Sequence, residues 1–97
     1  VILYSAYCLD GIKGPQIRAS KVRDDHLAHL DAAGDMLKFG GPLMNADGVP
    51  IGSLLIFEAE DTKAAWAFLE NDPYSKAGLF ERIDLRAMKA VKGSWLG

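Results

Sequence analysis

The chain opens on an alternating pattern. In Val1–Cys8 (VILYSAYC), Ile2, Tyr4, Ala6 and Cys8 fall on one side and Val1, Leu3, Ser5 and Tyr7 on the other. That predicts a strand buried on most of both faces. Asp10-Gly11 and Gly14-Pro15 then mark a loop. From about Ile17 to Ala33 there is no Gly or Pro, and the spacing becomes helical. Ala19, Val22, His26, Leu27, Leu30 and Ala33 share an arc of about 140° on a helical wheel, with Asp24, Asp25 and Asp31 away from its centre. His29 falls just outside the arc and is expected at the surface. Gly34 stands where a helix-ending glycine belongs.

Met36–Gly40 reads as a short strand closed by Gly40-Gly41-Pro42, and Asn45–Pro50 carries an Asp-Gly turn signal. Ser53–Glu60 is the strongest strand pattern, with Ser53, Leu55, Phe57 and Ala59 on one face. Asp61 is placed to cap a helix over Thr62–Asn71 whose inner stripe is Ala65, Phe68 and Leu69. Asp72-Pro73 must stop that helix, because the residue before proline is pushed out of the α region. Pro73–Gly78 follows as a short turn, and Phe80–Val91 alternates as a last strand with Ile83, Leu85 and Ala87 on one side. The order is β-α-β-β-α-β, an α+β ferredoxin-like sandwich: a four-stranded antiparallel sheet with two helices on one face. Either register of the first strand leaves an apolar set on the open face. A second copy, packed sheet against sheet in a homodimer, is expected to cover it.

Composition narrows the partners. Ninety-seven residues make one domain, and 49% apolar with 25% charged residues is ordinary globular chemistry. A net charge of −2 without any block of like charges speaks against nucleic acid as a partner. Apolar runs such as Leu54–Phe57 are far below the ~20 residues of a membrane span, so no membrane is expected either. Cys8 is the single cysteine, which excludes an intrachain disulfide and fits a reducing cytoplasm.

Few residues invite chemistry. His26 lies inside the apolar arc, so its ring should face the sheet, either as a core histidine satisfied by a carbonyl or as an acid–base group. His26 and His29 stand three apart, but no carboxylate at a further helical spacing completes a metal site, so no metal or other cofactor is expected. Asp72 either starts a turn or orients an imidazole. Ser53 offers a hydroxyl at the start of a strand, Arg23 a cation one turn before His26, and Gly41 a backbone N–H in a run without the pattern of a phosphate loop. Trp66 and Trp95 carry no signature, although Trp95 is placed to pack across an oligomer contact.

Together, Arg23-x-x-His26-Leu27-x-x-Leu30, Gly40-Gly41-Pro42, Gly52-Ser53 and Asp72-Pro73-Tyr74 with Ala77-Gly78 resemble the YciI-like (YCII-related) proteins, from Tyr4 to about Val91. The resemblance implies a dimeric α/β-barrel protein, similar in architecture to muconolactone isomerase. It also implies an active-site pair at His26 and Asp72, with Ser53 and Tyr74 beside it. Family members described as enzymes eliminate HCl from chlorinated hydroxyhydroquinones, and the opening Leu3-Tyr4-Ser5 and the Gly-Pro-Leu-Met loop look closer to that branch than to the shorter housekeeping members. The residues from Arg86 to Lys89 depart from the family pattern, and Lys92–Gly97 extends past it.

The expectation is a small-molecule lyase or isomerase in which His26 moves a proton while Asp72 fixes its tautomer. Ser53 and backbone near Gly41 would hold a developing oxyanion. Two other readings share the fold: a non-catalytic dimeric metabolite-binding module, and a metal-dependent monooxygenase-like site.

Overall fold

The structure is a computed structural model and describes residues 1–96; Gly97, the end of the tail singled out above, lies outside the described residues. Four antiparallel strands form one sheet in the order β2-β3-β1-β4: β1 is Ile2–Asp10, β2 Leu37–Met44, β3 Pro50–Ala59 and β4 Phe80–Ala87. Between them lie α1 (Gly14–Arg18), α2 (Val22–Ala32), α3 (Thr62–Glu70) and α4 (Pro73–Lys76). This is the ferredoxin-like α+β fold that the pattern predicts. No described helix is long and apolar enough to cross a membrane.

The alternation in β1 does what its period requires. Tyr4, Ala6 and Cys8 are buried under the helices, and Ala6 and Cys8 lie opposite Leu55 and Ser53 of β3. Phe57 fills the middle of the core, 6.0 Å from the Tyr4 ring and 4.8 Å from Phe68 of α3. Asp61 caps α3 by accepting from the Ala64 N–H at 2.8 Å. Gly34, at φ 60°, takes the left-handed conformation after α2 that a side chain would resist.

Several boundaries differ from the pattern. The single helix expected over Ile17–Ala33 is two, because Ser20 Oγ donates to the Ile17 carbonyl (2.6 Å) and accepts from the Val22 N–H (3.2 Å). A side chain competing for backbone partners breaks the run. Gly14-Pro15, expected in a loop, opens α1 instead, with Pro15 in the first turn where its missing N–H costs nothing. β2 continues through Gly40-Gly41-Pro42 to Met44, since an edge strand tolerates a proline that a central strand would not. β4 is correspondingly shorter, ending at Ala87.

The outer face of the sheet carries Leu3, Tyr7, Leu54, Ile56 and Phe39. Residues 88–96 turn back along it, and Trp95 packs edge-on to Phe39 of its own chain at 5.0 Å. The cover is partial: Trp95 stays 81% exposed and Tyr7 45%.

Candidate active site

The end of the helix-covered face near Cys8 and Ser53 is built differently from the rest. His26 is the buried residue of α2, and Asp72 is buried at the start of α4. Proline at the first position of α4 holds Asp72 extended (ψ 129°), so its carboxylate turns back over the helix and accepts from the Tyr74 N–H at 2.9 Å. The same carboxylate meets His26 Nδ1 at 2.8 and 2.9 Å through its two oxygens. An ionised carboxylate only accepts, so Nδ1 carries the proton, and in the neutral ring the lone pair is on Nε2. The His26 ring stacks on Tyr74, with centroids 3.9 Å apart and planes inclined by 14°.

His26 faces a cavity of about 320 Å³, near the lower end of the ~300–1,000 Å³ typical of small-molecule sites and suited to one substituted ring. Arg23, Gly41, Ser53 and Tyr74 line the same cavity, while Asp72 stands behind His26. The structure thus brings together all six residues that the sequence marks. It adds two that the sequence reading overlooks. Arg18 lines the cavity and is clamped to Asp10, its Nε 2.6 Å and Nη2 2.9 Å from the two carboxylate oxygens. Pro15 at a helix start and Ser20 as a helix break were the signals that would have placed Arg18 at the end of its own short helix.

Charges here are set by neighbours. The hydrogen bonds that Arg18 donates to Asp10 raise the guanidinium above its already high ordinary value, which keeps it charged. Burial pushes the Tyr74 phenol up, with Arg18 and Arg23 opposing. Burial likewise drives the Cys8 thiol up to about 12, and the nearby Asp72 charge adds to it, so Cys8 is an inert core group. Arg23 lines the cavity and is in no ion pair among the described residues.

His29, expected at the surface, is half-buried: its ring stacks on Phe68 and Nε2 donates to the Phe68 carbonyl at 3.1 Å. His26 and His29 therefore serve different partners. Among the described residues no three His, Cys, Asp or Glu side chains gather to hold a metal ion. A more open hollow of about 700 Å³, between the start of β1 and the residues after β4, has Glu58 and Lys89 as its charged side chains.

A ferredoxin-like sheet with an imidazole–carboxylate pair at one cavity defines a class of small α+β domains. Within it, the sequence model of the YCII-related domain matches residues 5–89, and the chain belongs to that family. It is 34% identical to protein YciI of Escherichia coli over 98 residues, covering 93% of this chain and 99% of that protein. Among solved structures it is similar to 5-chloro-2-hydroxyhydroquinone dehydrochlorinase (TftG) of Burkholderia phenoliruptrix AC1100 in complex with 2,5-dihydroxybenzoquinone. The TM-score is 0.83 at 34% identity, over 91% of this chain and 94% of that one. Atu4242 of Agrobacterium tumefaciens, at 10% identity and TM-score 0.56 over 95% of each chain, shares the fold alone.

Proposed function

We propose that the protein is a cofactor-independent lyase that eliminates HCl from a chlorinated, hydroxylated aromatic ring, with His26 as the proton-transfer group. One observation carries the reading: an imidazole whose Nδ1 is fixed by a buried carboxylate and which lines a ring-sized cavity. The 34% identical dehydrochlorinase supports the substrate class. The chemistry needs no redox partner. His26 Nε2 takes a ring hydroxyl proton and returns it to the carbon that bears chlorine, which is a tautomerisation. Loss of a second hydroxyl proton to His26 then drives out chloride, so one proton and one chloride leave and a hydroxyquinone remains. Asp72 steadies the imidazolium at each transfer, and Ser53 with backbone near Gly41 holds the ring oxygen that becomes a carbonyl.

The test is chloride release from 5-chloro-2-hydroxyhydroquinone by wild type and His26→Asn. Acid–base catalysis of this kind is worth about 10²–10⁴-fold, so the variant should fall by that factor. Release kept within a few-fold would rule His26 out. A second copy of the chain, packed on the outer face around Tyr7, Phe39 and Ile56, belongs to the same proposal. Tyr7→Glu with Phe39→Glu should then convert a dimer to a monomer in sedimentation, and a wild-type protein that sediments as a monomer would refute it.

A further inference from the structure

Ser53, 4% exposed, sits in the cavity wall with its Oγ 3.0 Å from Arg18 Nη2. The two hydrogens of that nitrogen also serve Asp10 Oδ1 at 2.9 Å and the Gly52 carbonyl at 2.8 Å, so one of its N–H groups is shared between two of the three acceptors, while Nε donates to Asp10 Oδ2. A guanidinium has no acceptor, so Ser53 accepts in this contact. No protein acceptor among the described residues meets the Ser53 proton, and the cavity is where it can be given. A hydroxyl whose lone pairs are turned to a cation is a weak acceptor and a polarised donor, suited to an ionised oxygen.

The clamp behind it is built to stay. Arg18 and Asp10 side chains are 12% and 6% exposed, and Arg18 also lies over the Tyr74 ring at 5.3 Å. Gly14 is what lets α1 settle on the carboxylate, since a Cβ there would stand 2.8 Å from Asp10 Oδ2. Resting on the lyase reading above, we infer that Asp10 and Arg18 are positioning residues that aim the Ser53 hydroxyl into the cavity, making Ser53 the donor that selects an ionised ring oxygen of a hydroxylated quinone or phenol. Asp10 neutralises Arg18, so attraction of the anion from a distance falls to Arg23 and its selection at close range to Ser53.

The experiment is a double-mutant cycle on binding, read by calorimetry with 2,5-dihydroxybenzoquinone as the ionised probe and its dimethyl ether as the neutral one. Ser53→Ala should weaken the ionised probe about tenfold or more and move the ether by less than about twofold. Arg18→Lys, which keeps the charge but not the fork, should weaken the ionised probe as well. The double variant should bind no worse than Ser53→Ala, because Arg18 acts through the hydroxyl. Additive losses, equal losses for both probes, or a wild type that does not bind the ionised probe would overturn the inference. Should Arg18→Lys fail to fold, the Ser53→Ala selectivity decides alone. Probe affinity reads the donor and chloride release reads the reaction, so either can fail without the other.

Discussion

The two ends of the helix-covered face make a useful contrast. Under α3 the space between sheet and helix is filled with hydrocarbon: Phe57, Leu55, Ala65 and Leu69 are buried, with Phe68 against them. Under α1, α2 and α4 the same sheet meets a smaller cluster of Ile17, Tyr74 and Leu79, interleaved with buried His26, Ser53 and Asp72 and with the Asp10–Arg18 pair. Both ends grow from the same two central strands. Along β1 the change comes within one alternation, from Ala6 opposite Leu55 to Cys8 opposite Ser53. The apolar end gains from every methylene that it hides. The polar end must offset desolvation bond by bond, and it leaves a cavity besides. Stability and chemistry are thereby assigned to different ends of one sheet.

That division can be broken by mutation. Phe57→Ala should cost about 3–5 kcal/mol in denaturant unfolding, the usual loss for a buried phenylalanine. Phe57 does not line the cavity, so quinone affinity should stay within a few-fold at temperatures where the variant is folded. Affinity falling in step with stability would show that the two ends are one cooperative device rather than two.

A smaller effect sharpens the boundary, where Cys8 lies. Its thiol is raised from 9.0 to about 12 by burial first and Asp72 second. The folded protein therefore holds this proton more tightly than the unfolded chain does. The contribution is whole below pH 9 and is lost as pH climbs from there towards 12, at a slope of about 1.4 kcal/mol per pH unit. Unfolding free energies measured between pH 8.5 and 11 should fall less steeply in Cys8→Ala than in wild type. Parallel slopes would mean that the fold does not hold the thiol proton more tightly than the unfolded chain does.

Much of this was legible in the sequence, for reasons that differ from residue to residue. Alternation in β1 and β3 needs only a two-residue period and one buried face, so Tyr4, Ala6, Phe57 and Leu55 could be placed directly. The position of His26 on the apolar arc was readable too, and so was the stop at Asp72-Pro73. Their contact was not, because 46 residues separate them and no local rule joins a helix face to a distant turn. Arg18 was hidden by a hydroxyl. Ser20 closes one helix and starts another, and a wheel drawn through both puts Arg18 in the wrong company. β2 past Gly40 was hidden by composition, since Gly-Gly-Pro argues against a strand everywhere except at an unpaired edge.

One carboxylate oxygen of Asp72 accepts from both the first turn of α4 and the His26 ring. The rotational freedom that such a side chain must give up is surrendered during folding, to a turn that would claim it even in an inert protein. The ring's alignment is thus inherited from the architecture and is complete before any guest arrives.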